Sequence, residues 1–150
     1  MSLELRTVLE DRLTRLKGNE DAVAPIVARR SGPPAPEDLA GLAWLLESSY
    51  SDIEEAWKAI ARHFEEPTPT STSWHRDLLD SMANQSRRRG PVISTDLRDS
   101  LEEYLSFRHF SRYSTFAILR WDQMQPLVER LPTAIAGFRC AIERLLGPTV

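Results

Sequence analysis

Hydrophobic residues recur along this chain at intervals of three and four, which is the spacing of one face of an α-helix. The two clearest series begin at Leu39 and at Trp121. The first contains Leu39, Leu42, Leu46, Tyr50, Ile53, Trp57, Ile60 and Phe64, and the second contains Trp121, Met124, Val128, Leu131, Ile135, Phe138, Ile142 and Leu145. We therefore predict two long amphipathic helices whose apolar faces pack into a common core.

Local signals place the ends of these two helices. Pro36-Glu37-Asp38 suits a first helical turn, because proline lacks an amide that would be unpaired there and the acids favour the positive end of the helix dipole. Glu65-Glu66-Pro67-Thr68-Pro69 ends the first helix, and Gly147-Pro148 ends the second. Pro132 falls inside the second helix, where we expect a kink.

Two shorter periodic segments lie between the long ones. The first follows the serine cap Ser73 and places on one face Trp74, Leu78 and Met82. The second begins at Ser94 or Thr95 and extends to about Phe116. Its apolar positions are Leu97, Leu101, Tyr104 and Leu105. We predict one helix for each segment.

The N-terminal region has a weaker helical pattern. Its first part carries Leu5, Leu9, Leu13 and Leu16 at helical spacing. We expect Gly18-Asn19 to break or bend the helix, a second piece to follow over Asp21 to Arg30, and a stiff loop to run from Ser31 to Pro36. No segment alternates with period two. The sequence predicts an all-α, antiparallel up-and-down bundle with four main helices and a broken N-terminal helix, in one domain over residues 1–150 whose first 35 residues are the least regular.

Composition narrows the functional classes. Nineteen basic and 22 acidic residues give a formal charge of −3, so attraction to nucleic acid would come from a local patch. The single cysteine, Cys140, allows no intrachain disulfide, and the charged N-terminus does not have the pattern of a signal peptide. Apolar runs are too short to cross a bilayer. We expect a cytoplasmic protein, and apolar positions on more than one helix face favour a homodimer.

Two classes of site have no support in the sequence. His63, His75 and His109 do not have the spacing of metal ligands, and no glycine-rich loop suited to a phosphate is present. We therefore predict neither a metal nor a cofactor.

One segment interrupts the apolar seam of the helix that begins near Ser94. The seam reaches Arg108, and Arg112 and Thr115 follow on the same face, while His109 and Tyr113 share the adjacent face. Two arginines and an imidazole close together suit the binding and cleavage of a phosphodiester. The alternative is that both arginines extend from the end of the bundle and pair with acids such as Glu102, Glu103 and Asp122.

Three further groups contain polar residues that bear on function. Arg87-Arg88-Arg89 is a basic turn that would bind RNA or an acidic partner, or else a solvated loop. Trp74-His75 is explained by core packing and helix capping. Asp52, Glu54 and Glu55 form a carboxylate cluster of the kind found on exposed helix faces.

Four stretches of the chain, in order and at compatible spacing, carry a family resemblance. They are 46–55, 74–79, 105–112 and 121–132. Together they resemble the HepT-like family of helical bundle proteins, which are encoded beside small nucleotidyltransferases in bacterial toxin–antitoxin pairs. The resemblance covers roughly Leu39 to Phe138, and residues 1–30 add little to it.

The resemblance implies a ribonuclease motif of arginine, four to six residues, histidine, any residue and tyrosine. Arg108 matches the arginine, but the histidine position falls on Tyr113 and the tyrosine position on Thr115. The family's motif tyrosine is implied to be where the partner nucleotidyltransferase attaches AMP. A phenol is a poor general base at neutral pH compared with imidazole. His109 would replace the missing histidine only if the helix rotated or if another chain completed the site.

Three functions follow as hypotheses. The first is a toxin–antitoxin component of the HepT-like type whose ribonuclease site is remodelled or inactive, with RNA and a nucleotidyltransferase antitoxin as partners. The second is a non-catalytic helical subunit that binds a nucleotidyltransferase or presents its substrate. The third is a homodimeric interaction module without enzymatic activity.

Overall fold

The computed structural model describes residues 1–113 and 119–148, and this part of the chain forms five helices and no strand. The helices are α1 (Leu3–Ala28), α2 (Pro36–His63), α3 (Trp74–Met82), α4 (Thr95–Arg112) and α5 (Trp121–Leu146). The predicted all-α fold class is confirmed. None of these helices is both long enough and apolar enough to pass through a membrane.

Contacts at both ends show that α1 and α2 are antiparallel. Ser2 lies near His63, with 3.4 Å between the Ser2 Oγ and the His63 Nδ1 atoms. At the other end Arg29 forms an ion pair with Asp38. The first residues of α1 therefore meet the last residues of α2, and the connection between the two helices is short.

Helices α4 and α5 are antiparallel as well. Leu97, early in α4, packs against Gly137, late in α5, so closely that a Cβ atom at residue 137 would lie 3.1 Å from a Leu97 methyl carbon. Further along, the Tyr104 hydroxyl donates a hydrogen bond of 2.7 Å to the carbonyl oxygen of Leu127. Burial raises the pKa of Tyr104. These contacts fix where the C-terminal half of α4 lies.

The predicted break in the N-terminal helix is wrong. Helix α1 continues through Gly18 and Asn19 for 26 residues. A glycine inside a helix costs about 1 kcal/mol relative to alanine, and burial of Leu16 and Val23 on either side offsets that cost. The Asn19 side chain also donates to the Ser49 Oγ atom at 3.2 Å. Four long helices, α1, α2, α4 and α5, form the bundle, and α3 is a short helix of nine residues.

Two further details differ from expectation. Helix α4 ends at Arg112 rather than near Phe116, which lies outside the described residues. Ser94 caps α4 as expected, accepting a hydrogen bond of 3.1 Å from the Leu97 amide. Ser73 precedes α3 but does not cap its backbone, because its hydroxyl donates to the Asp77 carboxylate instead.

Candidate functional site

Arg108 is buried where α4 packs on α2. Its side chain is 4% exposed, and its Nη2 atom donates to the Glu54 Oε2 atom at 2.9 Å. The Nη1 atom donates to the Ser51 Oγ atom at 3.3 Å, and the guanidinium lies 4.9 Å from the centre of the Tyr50 ring. The alternative in which the arginines pair with acids therefore holds in part. Arg108 pairs with an acid, but it is buried, and its partner is Glu54 rather than Glu102, Glu103 or Asp122. Ionic, polar and aromatic partners offset its desolvation.

His75, from the first turn of α3, completes a triad with Arg108 and Glu54. Its Nδ1 atom lies 2.7 Å from the Glu54 Oε2 atom and 2.9 Å from the Arg108 Nη2 atom. An ionised carboxylate cannot donate, so the 2.7 Å contact requires a hydrogen on the His75 Nδ1 atom. Arg108 and His75 then both donate to the same Glu54 oxygen. The Nε2 atom is then the ring nitrogen left for another partner. We call these residues the Glu54–His75–Arg108 triad.

The triad corrects two sequence interpretations. His75 is neither a capping residue nor a core residue, because it joins an ionic group and its side chain is 35% exposed. Glu54 is buried rather than on an exposed face, and so is Asp52, which pairs with Arg12 at 2.8 Å; Glu55 alone of that cluster is exposed. Glu54 lies one helical turn after Ser51 and two after Glu47 on α2, but that spacing does not distinguish a buried polar face from an exposed one.

A second ion pair joins α4 to the same polar stripe of α2. The Arg112 Nε atom donates to the Glu47 Oε1 atom at 2.9 Å, and the Ser111 hydroxyl donates to the other oxygen at 3.3 Å. The Arg112 side chain is 48% exposed. Because Arg108 and Arg112 both contact α2, they share one face of α4 as predicted, whereas Thr115 lies outside the described residues.

A cleft of about 360 Å³ opens beside the triad, between the start of α3 and the C-terminal half of α4. It is lined by Thr72, Ser73, His75, Arg76, Leu105, Ser106, Arg108, His109, Arg112 and Tyr113. The structure thus brings together four of the five predicted catalytic residues. It adds two that sequence reasoning missed, His75 and Arg76.

His109 faces this cleft with the helix as it stands. It lines the cleft without any rotation of α4, and its replacement of the motif histidine stays a prediction. Its ring lies 4.9 Å from the Tyr113 ring, and Tyr113 is 80% exposed at the end of α4. An imidazole and a phenol therefore stand together at the mouth of the cleft.

The described lining of the cleft is basic. Three guanidiniums and two imidazoles face it, and none of the described lining residues is acidic. The carboxylates lie behind the lining, where Glu54, Glu47 and Glu102 hold the arginines in place; the Arg76 Nε atom is 2.9 Å from the Glu102 Oε1 atom. Such a surface binds anions through charge-assisted hydrogen bonds and presents imidazoles for proton transfer.

The basic turn at residues 87–89 is a different kind of structure. The Arg89 side chain is 3% exposed and lies 2.7 Å from Glu66. It also donates to the backbone carbonyls of Ser81, Asn84 and Gly90. Arg87 and Arg88 are exposed, and Arg88 pairs with Glu65 at 2.8 Å. The hypothesis of RNA binding by this turn therefore depends on Arg87 and Arg88.

Metal-binding residues are not gathered in the described ranges. No three or more histidine, cysteine, aspartate or glutamate side chains among residues 1–113 and 119–148 are placed to hold a metal ion.

Fold and site together define a helical bundle with a basic cleft between its third and fourth helices. A family model described as HepT-like protein matches residues 41–147, and the chain belongs to that family. The matched range contains the whole cleft and all but the first residues of α2, and it leaves out α1. Comparisons with curated proteins and with solved structures find no match.

Proposed function

We propose that this chain is the HepT-like component of a bacterial toxin–antitoxin pair, and that its cleft binds and cleaves RNA at a remodelled ribonuclease site. The observation that carries the proposal is the convergence of Arg76, Arg108, Arg112, His75 and His109 on one cleft. The membership of the chain in the HepT-like family supports the same class of function.

The charges of the cleft suit a phosphodiester. Guanidinium groups recognise phosphate oxygens through paired hydrogen bonds, and Arg76 and Arg112 are about half exposed, so they can reach a ligand. The chain as a whole is acidic and each cleft arginine has a carboxylate neighbour. RNA binding would therefore require Arg76 and Arg112 to exchange those carboxylates for phosphate oxygens. Binding should therefore weaken as salt concentration rises.

The site is remodelled because Tyr113 stands where the family motif places histidine. A phenol cannot replace an imidazole as proton acceptor at neutral pH. The cleft nevertheless holds two imidazoles, one of them from α3. The proton transfer that the family motif assigns to the end of α4 would then be carried out by these two imidazoles.

The test is binding and cleavage of tRNA or total RNA by the purified protein and by two arginine variants. Arg112→Ala removes an exposed guanidinium of the cleft and should weaken RNA binding about tenfold, equivalent to about 1.4 kcal/mol. Arg15→Ala is the matched control, since Arg15 is an exposed α1 residue paired with Asp11. Equal effects of the two variants, or no cleavage by the parent protein, would contradict the proposal.

A non-catalytic partner of a nucleotidyltransferase is the second candidate. It is favoured by the ion pairs in the site, because each cleft arginine already has a carboxylate neighbour in the free protein. Co-purification with a nucleotidyltransferase encoded beside this chain, without RNA cleavage, would support it. The homodimer stays a prediction; the exposed Trp44 on α2 is an apolar residue that a second copy would cover.

A further inference from the structure

We propose that His75 is the general base of the cleft and that Glu54 positions it, so that the proton acceptor of this ribonuclease site comes from α3 rather than from the motif at the end of α4. This assignment rests on the proposed function, and it names the residue that replaces the histidine lost at Tyr113.

The contact with the Glu54 carboxylate favours one tautomer of His75, although the Arg108 Nη2 atom lies 2.9 Å from the same Nδ1 atom. Because the Nδ1–H group donates to the Glu54 carboxylate at 2.7 Å, the neutral ring carries its lone pair on Nε2. Glu54 is itself held by the buried guanidinium of Arg108, at 2.9 Å. A carboxylate held in this way fixes both the tautomer and the orientation of an imidazole, and it stabilises the imidazolium formed during catalysis.

The surroundings of His75 also restrict its movement. The Trp74 ring stacks on it with 3.6 Å between ring centres, and the Lys58 ammonium lies 5.2 Å from the centre of the Trp74 ring. Among the described residues, the charged groups that contact the ring are Glu54 from α2 and Arg108 from α4. The His75 side chain is 35% exposed and lines the cleft.

The other described groups of the cleft lining are less suited to accept a proton. Arginine stays protonated, and the hydroxyls of Thr72, Ser73 and Ser106 are far weaker bases than imidazole. His109 is exposed, and the ring contact found for it is with Tyr113 rather than with a carboxylate. His109 is accordingly the candidate acid, and His75 is the base.

The reaction balances with these two residues. The His75 Nε2 atom takes the proton of the ribose 2′-hydroxyl, and the 2′-oxygen forms a bond to phosphorus. The bond from phosphorus to the 5′-oxygen breaks, and that oxygen takes a proton from the His109 imidazolium. The products are a 2′,3′-cyclic phosphate and a 5′-hydroxyl, and water restores both protonation states. Arg76 and Arg112 hold the non-bridging oxygens.

The experiment compares His75→Ala and His109→Ala on two RNA oligonucleotides, one normal and one with sulfur as the 5′ leaving atom. General acid–base groups contribute about 10²- to 10⁴-fold to rate, so each variant should lose that much on the normal substrate. A thiolate leaves without protonation, so the sulfur substrate should restore cleavage by His109→Ala but not by His75→Ala. Added imidazole should rescue His75→Ala, which a structural role for His75 would not allow.

The role of Glu54 has its own measurement. NMR of the His75 ring nitrogens should show the Nδ1-protonated tautomer in the parent protein and a mixture of tautomers in Glu54→Gln. Circular dichroism tests whether each variant is folded. If His75→Ala is unfolded, His75→Gln takes its place.

The outcomes separate the two proposals. No cleavage by the parent protein overturns the proposed ribonuclease and this assignment with it. Cleavage by the parent that survives in folded His75→Ala or His75→Gln overturns the assignment and leaves the ribonuclease standing. Rescue of His75→Ala by the sulfur substrate would make His75 the acid and overturn its assignment as base.

Discussion

Two arginines of this protein are buried to almost the same extent and have different environments. Arg89, in the loop after α3, has 3% of its side chain exposed, and Arg108, in α4, has 4%. The guanidinium of Arg89 is surrounded by backbone carbonyls and by Glu66, which tie the loop to the end of α3. That of Arg108 lies between a carboxylate, an imidazole and an aromatic ring, at the wall of a cleft.

The difference shows that burial of a charge does not by itself mark a functional site. Arg89 closes a loop, and its partners are groups that do not change protonation state, apart from one glutamate. Arg108 shares its carboxylate with a histidine, so it belongs to a group in which a proton can move. What distinguishes a candidate site from a structural ion pair here is the titratable third partner beside solvent.

The largest effect on stability is expected from breaking the pair between Arg108 and Glu54. Arg108→Ala leaves a buried carboxylate without its cation, which should lower the free energy of unfolding by about 3–5 kcal/mol. The double variant Arg108→Met with Glu54→Met leaves neither charge behind, so it should be more stable than the single variant. Urea unfolding measures the free energy of unfolding of the single and the double variant. A double variant that is no more stable than the single variant would show that the two charges are not coupled.

A smaller loss is expected for Arg89→Ala. The variant leaves carbonyl oxygens and the Glu66 carboxylate short of a donor, at a cost of about 2–3 kcal/mol. RNA cleavage should persist under all conditions in which the variant is folded, since no residue of the turn at 87–89 is among the described lining of the cleft. Arg88→Ala is the control, because its exposed pair with Glu65 should contribute less than about 1 kcal/mol. A cleavage defect in folded Arg89→Ala would remove the distinction between the two arginines.

The smallest stability effect is expected for Arg112→Ala. Its pair with Glu47 is about half exposed, so thermal unfolding should reveal a loss below about 1 kcal/mol. The same variant carries the tenfold loss of RNA binding expected above. A stability loss as large as that of Arg108→Ala would mean that Arg112 is a structural residue, and Arg76 would then be the accessible arginine of the described cleft lining.

Much of the fold followed from periodicity. The spacing of Leu39 to Phe64 and of Trp121 to Leu145 predicted α2 and α5, because a long apolar face is a strong signal. The continuity of α1 was missed, since Gly18 and Asn19 are poor helix formers and tertiary burial of their neighbours outweighs that preference. The local pattern also does not show that α1 is a long helix of the bundle and that α3 is a short one.

The candidate site was predicted in part. Arg108 stood out because it interrupts an apolar seam, and His109, Arg112 and Tyr113 followed from helical spacing. His75 and Glu54 were missed because they lie 33 and 54 positions from Arg108, and only the packing of three helices brings them together. A polar residue on a helix looks the same in sequence whether it faces solvent or a buried partner.

One oxygen atom of Glu54 receives contacts from both α3 and α4. Those contacts close loops of 21 and 54 residues, so neither forms until distant parts of the chain have met. Assembly of the site therefore requires α2, α3 and α4 to dock on one another. A chain that has made its helices but has not docked them carries no assembled acid–base pair. Any activity of the cleft is thereby coupled to completion of the native structure.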